Sequence, residues 1–82
     1  MTPDRIRPIV IEVIDSVAPG CGIESVAGDA DLREELELDS MDFLNIVAAL
    51  HQRLGVAIPE ADAAELTTLD RVVDYMAAKT PA

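Results

Sequence analysis

The chain is organised around the segment Glu37-Leu38-Asp39-Ser40-Met41-Asp42, where a polar, glycine-free link ends and an apolar-periodic stretch begins. Asp and Ser are preferred helix N-cap residues, because their side-chain oxygens accept hydrogen bonds from the free backbone N–H groups of the first turn. We therefore predict that Ser40 opens a helix over residues 41–54 and is exposed near its N-terminus. Free N–H groups and the positive end of the helix dipole favour a phosphate-type group there. The simpler interpretation of this pair is a helix cap and nothing more.

A first helix with one apolar face is predicted before residue 18. Thr2 is a candidate N-cap and Pro3 a candidate first helical residue. Pro8 lacks a backbone N–H, so either the first turn is kinked or the regular helix begins near Pro8. Pro19-Gly20 is expected to end this helix. The apolar residues recur at helical spacing and form one stripe: Ile6, Ile9, Val10, Val13, Ile14 and Val17.

The rest of the chain predicts a long connection and two more helices. Residues 18–39 contain Pro and Gly, and the side chains expected to pin this connection to the core are Val26, Leu32, Leu36 and Leu38. Residues 31–35 fit one helical turn, and residues 60–65 fit a short helix after Pro59. A last helix is capped by Thr67 or Thr68, with Pro81 just past its end, and carries the stripe Leu69, Val72, Val73 and Met76. These elements predict an all-α fold, a small four-helix bundle of three longer helices and one short helix. A long loop joins helices one and two, and residues 1–82 form one domain.

The central helix predicts both a core face and an exposed patch. Met41, Phe43 and Leu44 lie on different faces of its first turn, so they cannot all point inward. We expect one or two of them to be exposed beside Ser40 as a contact surface. Gly55 suits the left-handed position that ends a helix. The residues expected to face the core follow helical spacing: Ile46, Val47, Leu50 and Leu54.

Charge narrows the classes of partner. Sixteen acidic residues face six basic ones, which gives a formal net charge of -10. A nucleic-acid binder needs a basic face, and an anionic membrane surface attracts basic segments, so both classes are excluded. We expect protein partners with basic patches and an association that weakens with salt. Half of the residues are hydrophobic and only Phe43 and Tyr75 are aromatic, which predicts an aliphatic core.

The sequence also favours a cytoplasmic, free-standing monomer. Cys21 is the only cysteine, so no internal disulfide can form, and a cytosolic setting fits. Charged residues interrupt any apolar start, and no apolar run approaches the ~20 residues of a transmembrane helix. The chain begins at Met1 and stops soon after the last helix. We therefore expect a separate protein rather than a domain excised from a synthase.

Catalytic chemistry is missing from the sequence. A nucleophilic Ser needs a nearby base, but the only His, His51, lies eleven residues beyond Ser40 in the same helix. This spacing corresponds to roughly 16 Å at about 1.5 Å per residue. No Cys/His metal cluster or glycine-rich phosphate loop is present, and Asp29-Ala30-Asp31 does not continue as an EF-hand. Cys21, between two glycines, is expected to be an exposed but incidental thiol. We predict that the protein is not an enzyme and that any reaction at Ser40 is catalysed by another protein.

The motif around Ser40 resembles the attachment motif of acyl carrier proteins, usually Leu-Gly-hydrophobic-Asp-Ser-Leu-Asp. Here it reads Leu36-Glu37-Leu38-Asp39-Ser40-Met41-Asp42. Further segments of nearly the whole chain resemble the family in the same order and at the same spacing. Together these segments are specific to the family, although one alone would not be. The other segments are Ala30-Asp31-Leu32, Gly55-Val56-Ala57-Ile58-Pro59, Leu66-Thr67-Thr68-Leu69 and Val72-Val73-Asp74-Tyr75.

The resemblance implies a carrier. A phosphopantetheinyl transferase would use coenzyme A and magnesium to place 4′-phosphopantetheine on Ser40, and Asp39 would assist recognition and metal placement. The thiol of that group would carry acyl intermediates as thioesters between acyl-transferring and chain-extending enzymes of fatty acid, polyketide or specialised lipid synthesis. We expect the aliphatic core to let an acyl chain enter between the helices. The expected partner-binding residues are Met41, Asp42, Phe43, Leu44, Asn45 and Ala48.

Several residues depart from the family pattern. Glu37 stands where Gly is usual, Met41 where Leu is usual and Phe43 where a smaller residue is usual. Asn45, His51 and Gln52 stand where fatty-acid carriers are often acidic. These departures favour a specialised carrier over a general fatty-acid one. A peptidyl or D-alanyl carrier is an alternative, and so is an acidic helical adaptor in which Ser40 is only a cap.

Overall fold

The structure is a computed structural model that describes residues 1–80, and these residues fold into five α-helices. Three are long: α1 (Pro3–Val17), α3 (Ser40–Leu54) and α5 (Leu69–Lys79). Two are single turns: α2 (Leu32–Glu35) and α4 (Glu60–Ala63). The predicted all-α bundle is confirmed, and the long connection adds α2 together with a 3₁₀ turn at Ile23–Ser25. Pro81 lies outside the described residues.

The first helix is continuous from Pro3 through Pro8 to Val17. Thr2 is its N-cap and Pro3 its first residue, as predicted, and the Thr2 side chain makes no capping hydrogen bond. Of the two alternatives for Pro8, the structure therefore selects the helix that begins at Pro3. Pro8 cannot donate to the preceding turn, so one hydrogen bond of the helix is missing there. The helix ends at Val17, just before Pro19.

The core is built on α1, which contacts both α3 and α5. Its stripe residues Ile6, Val10 and Ile14 have no exposed surface. Burying an aliphatic side chain of this size contributes roughly 1.5–3 kcal/mol. The core is aliphatic apart from Phe43, as predicted. The residues that α3 and α5 bury in it are Phe43, Ile46, Leu50, Leu69, Val72, Val73 and Met76.

The long connection is anchored to the bundle by side chains and by backbone hydrogen bonds. Its buried side chains are Ile23, Leu32, Leu36 and Leu38, so the leucines act as predicted, and Val26 is half-buried. The Leu32 N–H donates to the Thr67 carbonyl at 2.8 Å, and the Asp70 N–H donates to the Gly28 carbonyl at 3.0 Å. These bonds tie the connection to the start of α5, where Thr68 is the N-cap. The path of the chain into α3 is therefore fixed by packing.

None of the residues of the short helix α4 is buried, so contacts with other elements stabilise it more than burial of its own side chains does. The Tyr75 hydroxyl of α5 donates a hydrogen bond to Asp62 Oδ2 at 2.7 Å. This hydrogen bond, followed by partial desolvation, raises the pKa of Tyr75 above its ordinary value of 10.0. Neutral Tyr75 is thus the form that the folded state favours. Within residues 1–80, no helix is long and apolar enough to cross a membrane.

Replacing Tyr75 by Phe should lower the free energy of unfolding by about 0.5–1 kcal/mol, since one partly exposed hydrogen bond is lost. The stabilising effect of this hydrogen bond is complete below about pH 10, the pKa of tyrosine in the unfolded chain. It is lost as the pH rises through the higher pKa that Tyr75 has in the folded chain. Urea unfolding of both proteins at about pH 8 and about pH 11 should therefore show the difference shrinking. Asp62→Asn, which keeps an acceptor, is the matched control and should lose less. Equal stability of Tyr75→Phe and the native chain at the lower pH would contradict the role of this bond.

Candidate functional site

The N-terminus of α3 is capped by Asp39, and Ser40 is the first residue inside the helix. The Asp42 N–H donates to Asp39 Oδ1 at 2.8 Å, and the Asp39 N–H donates to Asp42 Oδ2 at 3.3 Å. This reciprocal pair is a capping box, which stabilises the first turn. The alternative in which Ser40 is the helix cap is therefore wrong, because Asp39 performs that function.

Ser40 is left free by this arrangement. Its side chain is exposed, and its hydroxyl makes no hydrogen bond to any residue among 1–80. As the first helical residue it lies where backbone N–H groups lack partners within the helix, which favours an anionic group. The carboxylates of Asp39 and Asp42 offset part of that attraction. A cation beside these carboxylates would therefore assist the approach of a phosphate ester to Ser40.

A tight turn delivers the chain to Asp39. Glu37 has a φ of 54°, the one non-glycine residue with positive φ in the part of the chain described by the structure. Such a conformation disfavours an L-residue by roughly 1–2 kcal/mol. Its neighbours Leu36 and Leu38 are both buried, and the Leu38 N–H donates to the Arg33 carbonyl at 3.0 Å. The position where the resembling family usually has Gly is thus one whose backbone conformation favours Gly.

The outer face of α3, defined here as Met41, Leu44, Asn45 and Ala48, lies beside Ser40. Met41 is 64% exposed and Leu44 is 55% exposed. Asn45 and Ala48 are also exposed, and the spacing of the four residues places them on one side of the helix. Exposed apolar side chains at two of these positions fit the predicted contact patch.

Of the expected partner-binding residues, Phe43 is buried, whereas contact of Asp42 with a partner stays a prediction. Phe43 is only 6% exposed, because its position on the helix turns the ring toward the core. Asp42 is half-buried and holds the capping box. The expectation for Phe43 is corrected, since a buried ring offers no surface to a docking protein. The spacing of three between Asp39 and Asp42 was the sequence signal for the capping box.

Other candidate groups are not gathered at this site. His51 lies in the last turn of α3, at the opposite end from Ser40. Cys21 is a half-buried free thiol that packs against the core, which corrects the expectation of an exposed one. No group of three or more His, Cys, Asp or Glu side chains within residues 1–80 is placed to hold a metal ion.

Sequence reasoning also missed Arg33, whose guanidinium carbon lies 4.5 Å from the centre of the Phe43 ring. No local pattern signals that contact.

Comparison with known proteins identifies the family. A family model described as "Phosphopantetheine attachment site" matches residues 5–76. An acyl carrier protein of Campylobacter hominis is 34% identical over 73 residues, which cover 89% of this chain and 86% of that protein. One from Rubrobacter xylanophilus is 33% identical over 66 residues, covering 80% and 82%. The mitochondrial acyl carrier protein of Saccharomyces cerevisiae is 28% identical over 85 residues, covering 100% and 68%. With an exposed serine at a capped helix start and a match over most of its length, the chain belongs to the phosphopantetheine attachment family, whose covalent cofactor is 4′-phosphopantetheine.

Proposed function

We propose that this protein is an acyl carrier protein and that Ser40 is its attachment residue. One observation carries the assignment of the site: the Ser40 hydroxyl is exposed at the first position of α3 and has no hydrogen-bonding role of its own, because Asp39 caps the helix. Modification of such a hydroxyl leaves the fold intact. The matched family and the acyl carrier relatives support the carrier role.

The residues of this chain present the hydroxyl but do not activate it. No base lies near Ser40 in the sequence, and the only His is at the far end of α3. A transferase must therefore take the hydroxyl proton. The serine oxygen forms a new ester bond to phosphorus while the bond from that phosphorus to the adenosine bisphosphate portion of coenzyme A breaks. The attached group then supplies a thiol that holds acyl groups as thioesters.

Asp39 is positioned to assist that transfer. Its Oδ1 accepts the Asp42 N–H, which fixes the orientation of the carboxylate next to Ser40. Its other oxygen makes no hydrogen bond within the described residues. Mg²⁺ takes oxygen ligands and commonly uses one or two carboxylates plus phosphate oxygens. We infer that Asp39 helps place the magnesium ion of the transferase reaction.

The outer face of α3 is the surface that we propose for docking. Its apolar residues Met41 and Leu44 supply contact area, and the acidic chain supplies long-range attraction to partners with basic patches. These partners are the transferase and the acyl-transferring and chain-extending enzymes, which a monomeric cytoplasmic carrier would visit in turn. The adaptor alternative, which depended on Ser40 as a cap, has no support in the geometry.

Incubation with coenzyme A, magnesium and a broad-specificity phosphopantetheinyl transferase should add the mass of one phosphopantetheine to the chain. Ser40→Ala should gain nothing, because the accepting oxygen is absent, whereas Ser25→Ala, at another exposed serine, should gain the same mass as the native chain. Intact-protein mass spectrometry measures all three.

Unfolding measurements show whether the Ser40 variant is a fair control. Ser40→Ala should unfold at nearly the native denaturant concentration, while Asp39→Ala should lose about 1 kcal/mol because it removes the helix cap. A full mass gain in Ser40→Ala, or no gain in the folded native chain with several transferases, would overturn the assignment of Ser40.

Replacing Leu44 by Gln should raise the KM of the transferase for this protein several-fold, because an exposed apolar contact on the outer face of α3 is lost. Ala78→Gln, an exposed position on α5, is the control and should leave KM unchanged. Added salt should raise KM for both variants, because it screens the acidic surface. Equal KM values for the two variants would place the docking surface elsewhere.

A specialised pathway is the second element of the proposal. Asn45, His51 and Gln52 are all exposed along α3, where a fatty-acid carrier often presents acidic residues to its enzymes. A general fatty-acid ketosynthase should therefore turn over the acylated protein more slowly than a dedicated ketosynthase does. Steady-state rates with both enzymes at equal concentration measure the difference. Equal turnover would favour a general fatty-acid carrier.

A further inference from the structure

A surface cavity of about 300 Å³ is lined by Phe43 of α3 and by residues of the neighbouring elements. Phe43, which lines it, is three residues beyond Ser40, or about 4.5 Å along the helix axis. Phe43 and Leu66 are buried and form the apolar inner wall with half-buried Ala63. Since water occupies roughly 30 Å³ per molecule, this volume suits a short acyl group of about ten non-hydrogen atoms.

Exposed polar residues line the outer part of this cavity: Asp31, Arg33 and Thr67. The guanidinium carbon of Arg33 lies 4.5 Å from the centre of the Phe43 ring, so a positive charge stands over the apolar wall. Stacking on an aromatic face leaves the N–H groups of Arg at the edge of the guanidinium plane available for hydrogen bonds.

Arg33 also lacks an acidic partner. Arg7 is paired with Asp70 at 2.6 Å and Arg53 with Glu12 at 3.1 Å. Arg33 makes no ion pair and donates no side-chain hydrogen bond within residues 1–80. In a chain of net charge -10, an unpaired guanidinium beside a cavity is available to bind an anion.

The nearby Asp31 carboxylate does not neutralise this group directly. Asp31 Oδ1 accepts a hydrogen bond from the Glu34 N–H at 3.1 Å and caps α2. The Thr67 carbonyl accepts the Leu32 N–H, and its hydroxyl has no hydrogen bond to a described residue. Arg33 and the Thr67 hydroxyl are therefore the side-chain donors that the cavity offers.

We propose that Arg33 is a specificity-determining residue that favours short acyl groups ending in a carboxylate over plain hydrocarbon chains of the same length. This inference rests on the proposed function, because the acyl group reaches the cavity only when it is tethered to Ser40. Phe43, Leu66 and Ala63 contact the methylene segment, and the Arg33 guanidinium donates two hydrogen bonds to the terminal carboxylate. A hydrocarbon chain would lie in the same cavity without pairing with that charge.

The test compares two acyl groups of equal carbon number. A broad-specificity transferase loads the chain from glutaryl-coenzyme A or from pentanoyl-coenzyme A, and mass spectrometry verifies each product. The first readout is the rate of thioester cleavage by hydroxylamine, which slows when the acyl group is bound in the cavity. The second is the change in the nuclear magnetic resonance signals of the Arg33 side chain and the Phe43 ring.

In the native chain, the glutaryl thioester should be cleaved about three- to fivefold more slowly than the pentanoyl thioester, the range that corresponds to a partly exposed ion pair. Arg33→Gln should abolish this ratio, and Arg33→Lys, which keeps the charge but loses the two-pronged geometry, should reduce it. Arg5→Gln, an equal charge change at an exposed site on α1, should retain the native ratio.

The outcomes separate this inference from the proposed function. No mass gain with either coenzyme A ester would overturn both. If both groups are loaded, any of three results would overturn the role of Arg33 and leave the carrier function unaffected. The first is equal cleavage rates of the two thioesters, the second is no shift of the Arg33 signals, and the third is a rate ratio that persists in Arg33→Gln. Equal protection of a 3-oxopentanoyl thioester would overturn the preference for a carboxylate.

Discussion

Burial of the α1 apolar stripe between α3 and α5 is the interaction on which the rest of the structure depends. Ile6, Val10 and Ile14 have no exposed surface, and α1 contacts both other long helices. The two single-turn helices could not persist alone, because isolated helices this short are unstable in water. They form where the long helices already supply a surface, α2 through buried Leu32 and α4 through the Tyr75 hydrogen bond to Asp62.

Presentation of Ser40 follows from that packing through the connection between α1 and α3. Buried leucines on either side of Glu37 hold the chain against the core and impose the left-handed backbone at that residue. The chain then reaches Asp39 in the extended conformation that an N-cap requires. Asp39 and Asp42 accept hydrogen bonds from each other's backbone N–H groups, so the Ser40 hydroxyl is not needed to cap the helix. The free hydroxyl is thus a consequence of capping by its neighbours.

The charge distribution combines a few local ion pairs with a large excess of acidic groups. Two of the basic side chains are paired with carboxylates on other elements, Arg7 with Asp70 and Arg53 with Glu12. These exposed pairs contribute little to stability, with typical values of about 0–1 kcal/mol. The remaining excess of acidic groups acts at longer range, where it would speed encounters with the basic partners that we propose. Unlike Arg7 and Arg53, Arg33 is not paired with a carboxylate within residues 1–80; its guanidinium group stacks on the Phe43 ring at the edge of a cavity.

The sequence by itself determined the helices, the exposed serine at the start of α3 and the family. Helical hydrogen bonds connect residues four apart, so their periodicity can be read locally, and the motif around Ser40 is continuous in the chain. Only the tertiary structure decided that Cys21 is half-buried, that Glu37 has a left-handed backbone and that Arg33 stacks on Phe43. Each of these depends on the path of the long connection across the bundle. That path is set by contacts between residues far apart in sequence, which no local pattern contains.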